Sequence, residues 1–217
     1  LWILLKYREK RLIFVGGINL VALIFQAWFG SIVVATNLVP WTITVHMLMA
    51  LLIIGLQLYM IHMLTYKKHQ KTNEGWVVVG ERSVKVTKVF YGLLFFIFLI
   101  TFYQMFLGTQ VREEVDLLKK MGIPRSEWHE HFGIPFLIHR SFSWLVLVLM
   151  VWMYWTKRKM KQFFLIHVSF FILVVELIGG ILLAHFKMHG LVQISHLLLA
   201  ALLFGTLLFA LFRYKYK

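Results

Sequence analysis

Three histidines lie inside long apolar runs of the chain, where an ionisable side chain is costly. His46, His139 and His196 each follow the start of such a run by about five to seven residues. In helices with a rise of about 1.5 Å per residue, they share a layer about 8–10 Å below one membrane face. Ionisable residues at that depth indicate a functional site by default. The spacing therefore predicts a layer of ligating side chains, drawn from three different helices.

Two imidazoles that face each other at one depth can bind a haem iron on both sides of the ring. Small residues in the same runs can make the flat apolar slot that a haem needs: Gly180, Ala184, Ala200 and Gly205. Zinc or copper is a weaker interpretation, because Glu176 is the one carboxylate inside a predicted span and the chain has no cysteine. The alternative for each histidine is structural, a buried ring hydrogen-bonded to a neighbouring carbonyl group.

Two arginines and one glutamate lie near this layer. Arg112 and Arg140 are at the outer ends of predicted spans. There a guanidinium can pair with a haem propionate, and it can equally reach a lipid headgroup. Glu176 lies within the bilayer, which indicates function or a partner. Because its counterpart in the repeat described below is Gln26, a structural hydrogen-bonding role is as well supported.

Six apolar runs must hold these residues, and each is long enough to cross a hydrocarbon core of about 30 Å as a helix. They cover residues 12–36, 39–64, 89–108, 134–156, 163–186 and 189–212. The chain is 60% hydrophobic and 15% charged, with a mean hydropathy of +0.78, more than a water-soluble domain of 217 residues needs. The runs lack the alternation of barrel strands. The sequence therefore predicts an all-α membrane protein.

The net charge of +14 is concentrated in connections between the predicted spans. Basic residues cluster at 6–11, 67–88, 157–161 and 213–217, which are alternate connections. By the positive-inside rule, both ends of the chain are cytoplasmic, and the basic segments contact anionic lipid of the bilayer. Nucleic acid is therefore not expected as a partner. The absence of cysteine from the sequence excludes disulfides and iron–sulfur clusters within these residues.

The first hairpin recurs 150 positions later without a gap. The matching positions include two glycines and a histidine: Gly30, His46 and Gly55 fall on Gly180, His196 and Gly205, and Gln26 falls on Glu176. This predicts an internal duplication. Since residues 1–10 fall on 151–160, we expect a further helix pair before Leu1, and eight spans in two pseudo-symmetric four-helix bundles. Residues 1–65 are then the back half of the N-terminal bundle, 66–88 a cytoplasmic connection and 89–217 the C-terminal bundle.

Four stretches in this order resemble the haem A synthase family of respiratory membranes: QAWFGSIVVATNLVPWTITVHMLMA, YQMFLGTQVREEVD, FLIHRSFSWLVLV and GLVQISHLLLAALLFG. The resemblance covers nearly the whole chain and is weakest at 65–88. It implies a multi-pass protein of the bacterial plasma membrane that oxidises the C8 methyl group of haem O to a formyl group, giving haem A for cytochrome oxidase. It also implies that His139 and His196 hold a haem b, and that His46 is one of two ligands of the substrate haem O.

The sequence also departs from that family. The family's second substrate ligand lies in an E-x-x-H-R motif together with a carboxylate implicated in catalysis, and by the 150-residue offset this motif would precede Leu1. The matching place in the second half reads FLIHR, with Phe136 where the glutamate would be. The catalytic residues are therefore unassigned. The cysteine pair of many relatives is also absent.

Two other functions use some of the same features. A b-type membrane cytochrome with two histidine ligands would relay electrons, for instance from a quinol, without modifying haem. A transporter with repeated halves would instead require helices broken in mid-span by glycine or proline. As a synthase, the protein would meet haem O, haem O synthase and an electron donor or acceptor such as a quinone.

Overall fold

Six long helices dominate the computed structural model, which describes residues 10–72, 84–186 and 190–216. They are α1 (Lys10–Ala35), α2 (Pro40–Thr72), α3 (Lys88–Lys120), α5 (Ile134–Lys157), α6 (Phe164–His185) and α7 (Gly190–Arg213), with the short α4 (Trp128–His131) between α3 and α5. Strands β1 (Val84–Val86) and β2 (Tyr214–Tyr216) pair in parallel. All six long helices are long and apolar enough to cross a membrane. The prediction of an all-α membrane protein with six spans in this sequence is confirmed.

The long helices are continuous over the described residues. Pro40 and Pro135 lie in the first turns of α2 and α5, and Pro124 lies between helices. Proline at these positions removes no hydrogen bond from a helix interior. The broken spans that a transporter would require are not among the described elements.

Helix α3 is longer than the sequence predicts. The apolar run ends at residue 108, whereas the helix continues through residues 109–120. Gly122 ends it in the left-handed region, with φ of 71°. The Ile123 amide donates to the Leu118 carbonyl (3.1 Å) and the Gly122 amide to the Lys119 carbonyl (3.1 Å), the hydrogen-bond pattern of a Schellman cap. Hydropathy locates the part of a helix suited to lipid, and so it misses a polar extension beyond the membrane.

A tight turn joins α1 to α2. Asn37 and Leu38 adopt positive φ values of 53° and 60°. The Leu38 amide donates to the Val33 carbonyl over 3.0 Å, which satisfies a carbonyl group at the end of α1. Because Pro40 then starts α2, the two helices form a hairpin whose facing residues are set by this short connection.

The chain forms two compact units, one of Leu1–Tyr91 with Leu208–Lys217, the other of Gly92–Leu207. In the first, α1 packs on α2. The side chain of Leu208 lies 3.3 Å from the point where Gly55 would carry a methyl group. In the second, α5 packs on α6, and the Ser169 hydroxyl of α6 donates to Thr206 of α7 over 3.0 Å. The predicted division into 1–65, 66–88 and 89–217 stays a prediction.

Residues 121–133, which we call the loop cap, connect α3 to α5 and cover the ends of two helices. Trp128, only 5% exposed, packs against Val115 and Leu118 of the α3 extension. Its indole nitrogen donates to the Ile123 carbonyl over 2.9 Å. The Glu114 carboxylate accepts the amide of Gly133, the residue that precedes α5, over 3.4 Å. An acidic side chain at a helix N-terminus is favourable, so this contact supports the first turn of α5.

Arg125 of the loop cap binds the C-terminal end of α6. Its guanidinium donates to the carbonyls of Leu183 and Ala184, the latter over 2.9 Å, in the last turn of α6. It also lies over the Trp128 ring, 4.4 Å from the ring centroid. Burial lowers the pKa of Arg125 from its usual value, yet a guanidinium stays charged at neutral pH. A positive charge at these carbonyls complements the helix dipole and stabilises the C-terminus of α6.

Candidate haem-binding site

Each of the three predicted histidines packs against a glycine on the preceding long helix. A methyl group at Gly30 of α1 would lie 3.2 Å from Cε1 of His46 on α2. A methyl group at Gly180 of α6 would lie 3.4 Å from Cε1 of His196 on α7. A methyl group at Gly108 of α3 would lie 3.7 Å from Cε1 of His139 on α5. The absence of a side chain at these glycines thus leaves room for an imidazole between two helices.

In two of these pairs, a glutamine four residues before the glycine fixes the histidine backbone. The Gln26 side-chain amide donates to the carbonyl oxygen of His46 over 3.0 Å. The Gln104 amide donates to the carbonyl oxygen of His139 over 2.7 Å and to the Ser143 hydroxyl over 2.7 Å. The Ser143 hydroxyl donates to the same His139 carbonyl, also over 2.7 Å. These buried bonds hold the helix position from which each ring projects.

The third pair has a carboxylate in place of the amide. Oε1 of Glu176, four residues before Gly180, lies 3.1 Å from Nδ1 of His196. The Glu176 side chain is 12% exposed and that of His196 is 26% exposed. The ring is not turned to give a straight N–H···O bond, so the contact is close without being a well-aligned hydrogen bond. Glu176 therefore contacts the imidazole ring, whereas the two glutamines donate to the backbone carbonyl of their histidine.

The nitrogen atoms of the three rings fit ligation better than the structural alternative. Nδ1 of His46 and of His139 is buried without a hydrogen-bond partner among the described residues, and no ring nitrogen of the three binds a carbonyl there. A buried imidazole normally has a partner, so these rings lack the contacts that the structural alternative requires. His139 and His196 are also close enough to interact electrostatically. The assignment of these two side chains as axial ligands of one haem iron stays a prediction.

No three side chains of the histidine, cysteine, aspartate and glutamate types come together as a metal site within residues 10–72, 84–186 and 190–216. Zinc sites in proteins usually need three or four such ligands. Two axial imidazoles suffice for a haem, because the porphyrin supplies the other four donors. The donor set in this part of the chain thus suits haem iron and does not suit a bare zinc ion.

The two predicted propionate contacts lie at the surface. The Arg112 guanidinium is 3.6 Å from the Asp116 carboxylate in an exposed pair one helical turn apart. The Arg140 guanidinium lies 5.9 Å from the centroid of the Phe136 ring on the same helix. Exposed pairs of this kind contribute little to stability, so either arginine can exchange its present contact for another at little cost in free energy. Their role toward propionates stays a prediction.

Sequence reasoning missed Gln104, Gly108 and Gly179 as neighbours of the histidines. Gly179 would place a methyl group 3.4 Å from Nδ1 of His196. A signal was present, because a glutamine or glutamate precedes a glycine by four residues in each case: QAWFG at 26–30, QMFLG at 104–108 and ELIGG at 176–180. Residues four apart lie on one helix face, so each such pair presents an amide or carboxylate beside a small gap.

Comparison with known proteins identifies the family of the chain. The model of the COX15-CtaA family, described as cytochrome oxidase assembly protein, matches residues 1–208. No curated protein and no solved structure matches the chain. The family match confirms the resemblance to haem A synthases, and it covers His46, His139 and His196. This chain is a multi-pass membrane protein that belongs to the COX15-CtaA family of cytochrome oxidase assembly proteins.

Proposed function

We propose that the protein is a haem A synthase, which oxidises the C8 methyl group of haem O to a formyl group. The observation that carries the proposal is the placement of His139 and His196, which project from α5 and α7 beside Gly108 and Gly180 in a chain of this family. The oxidation removes four electrons from the methyl carbon, takes one oxygen atom from water and releases four protons. It therefore needs an electron acceptor, for which a membrane quinone is suited.

His139 and His196 are the residues that would hold a haem b, which, when bound, supplies one-electron transfer. The chain's own residues orient these ligands. Gln104 and Ser143 hold the backbone of His139 through its carbonyl oxygen. Leu107 of α3 and Val146 of α5 are only 4% and 3% exposed, and buried apolar side chains of this kind would help to keep water from the site.

His46 is the proposed ligand for the substrate haem O. Gln26 fixes its carbonyl, and the Phe29 ring stacks near the imidazole, with centroids 6.5 Å apart and an interplanar angle of 16°. An isoprenoid-bearing substrate partitions into lipid, and a site between membrane helices receives it from that side. This hairpin would receive haem O from a haem O synthase in the same membrane.

A bis-histidine cytochrome that only relays electrons is the second candidate. Neither α1 nor residues 40–65 of α2 contain an aspartate or glutamate, and Phe136 stands three residues before His139. The histidines described here thus have one neighbouring carboxylate, that of Glu176, and it contacts His196. A relay needs no carboxylate beside the second haem.

Analysis of extracted haems decides between the two candidates. Cells that make haem O, but lack another haem A synthase, are expected to accumulate haem A when they make this protein. Chromatography and mass spectrometry of the membrane haems measure the product. Haem O without haem A, in membranes where the purified protein carries a low-spin b-type haem, would contradict the synthase and support the relay.

The topology can be tested with single cysteines, because the chain has none of its own. We propose that the basic turn 157–161 is cytoplasmic and the loop cap is outside the plasma membrane of a bacterium. Lys159→Cys and Ser126→Cys both place a thiol on an exposed residue. A membrane-impermeant maleimide is expected to label Ser126→Cys in intact cells, and Lys159→Cys only after permeabilisation. The reverse pattern would contradict this orientation.

A further inference from the structure

The three histidine hairpins differ in one chemical respect. Each places a polar side chain four residues before a glycine that faces the imidazole. In two hairpins the side chain is an amide that donates to the histidine carbonyl oxygen, from Gln26 over 3.0 Å and from Gln104 over 2.7 Å. In the third it is the carboxylate of Glu176, 3.1 Å from Nδ1 of His196. A carboxylate cannot donate to the carbonyl, and an amide cannot carry negative charge to the ring.

We propose that Glu176 is a positioning residue for the iron ligand His196, an inference that rests on the proposed haem site. With iron on Nε2, a small turn of the ring would align the Nδ1–H group with this carboxylate, 3.1 Å away, so that Glu176 accepts the proton and fixes the ring tautomer. A carboxylate on the far nitrogen makes a histidine a stronger electron donor to its metal. His46 has no such acceptor for Nδ1 among the described residues.

This difference separates the two proposed haems by one ligand, because His196 has a carboxylate beside its ring while His139, like His46, has an amide that contacts its backbone carbonyl. A stronger, pre-oriented ligand holds iron more tightly and favours its ferric state, so the haem at His196 is retained with a low reduction potential. The site at His46 receives a substrate that must leave as product, and a ligand without a carboxylate partner suits exchange. Glu176 thus assigns the resident haem to the site that His196 shares with His139.

Substitution of the carboxylate by its own amide tests this role. Glu176→Gln keeps the size of the side chain, and α1 already has a glutamine at the matching place before Gly30. We expect about a tenfold loss in the preference of the site for ferric over ferrous haem. For a one-electron couple this is a rise of about 59 mV in midpoint potential. Haem transfer to apomyoglobin is expected to be about tenfold faster.

The measurements are a spectroelectrochemical titration and a haem-transfer time course on the detergent-purified protein. Glu113→Gln is the matched control, because it makes the same chemical change on the exposed face of α3 and is expected to alter neither value. A Glu176→Gln protein with the potential and transfer rate of the wild type would overturn the proposal, and the haem site itself would stand. A wild-type protein without haem would instead overturn the proposed function.

A second variant keeps the test independent of folding. Glu176→Asp retains the charge but shortens the side chain by one methylene, which withdraws the carboxylate from Nδ1. If Glu176→Gln does not fold, Glu176→Asp is expected to show a smaller rise in potential of the same sign. An unchanged potential in that variant would contradict the proposal. If both variants fold, the aspartate value should lie between those of the wild type and Glu176→Gln, because a purely packing role would not follow charge in this order.

Discussion

Replacing His139 or His196 with alanine is expected to abolish the low-spin b-type spectrum of the protein. Each change removes one of the two proposed axial donors, and alanine offers no atom to replace it. The loss of a metal ligand costs more than the loss of a supporting contact, for which about 10–100-fold in affinity is typical. We therefore expect each variant to bind haem roughly 100-fold more weakly or worse.

The reduced-minus-oxidised visible spectrum of detergent-purified protein measures this effect. The wild type is expected to show a sharp α band that carbon monoxide does not change, because the two proposed ligands would fill both axial positions. His131→Ala is the matched control, since His131 is an exposed histidine of the loop cap whose Nδ1 contacts the Glu127 carbonyl. Full haem retention in folded His139→Ala or His196→Ala would refute the assignment of that residue.

The positions of the spans followed from hydropathy alone, because an apolar run of about 20 residues in lipid has few alternatives to a helix. Predicted and observed ends of α5 differ by one residue, 156 against 157. The extension of α3 to Lys120 did not follow, because Thr109 starts a polar segment. Its helix depends on Val115 and Leu118 packing against Trp128, which is a tertiary contact.

The histidines could be identified from the sequence, but most of their partners could not. Depth within a span depends on position in a linear run, which the sequence gives directly. The contact of Gln104 with His139 joins residues 35 apart, and it depends on how two helices rotate about their axes. The 150-residue offset related Gln26 to Glu176, but it did not show that Gln26 donates to the His46 carbonyl while Glu176 contacts the His196 ring. That difference depends on how the side chains are rotated in the packed helices, which a linear offset does not specify.

Substitution of Gly108 by leucine is expected to disrupt the same site from the opposite helix. A methyl group there would already lie 3.7 Å from Cε1 of His139, and the remaining carbons of leucine would occupy space that the imidazole now uses. Overpacking of this kind costs about 1–3 kcal/mol in well-packed interiors. Because a tenfold change in affinity corresponds to about 1.4 kcal/mol, we expect haem binding to weaken by roughly 5–150-fold.

Gly92→Leu is the matched control for this prediction, because it makes the same substitution in the same helix. A methyl group at Gly92 would meet no atom within 4 Å, so the added side chain enters open space. Both variants gain the same helix propensity and differ in what faces the glycine. Haem titration of the two purified proteins should therefore give weak binding for Gly108→Leu and wild-type binding for Gly92→Leu. Equal affinities would mean that the ring of His139 does not need the gap beside Gly108, and the haem would have to approach His139 from another side.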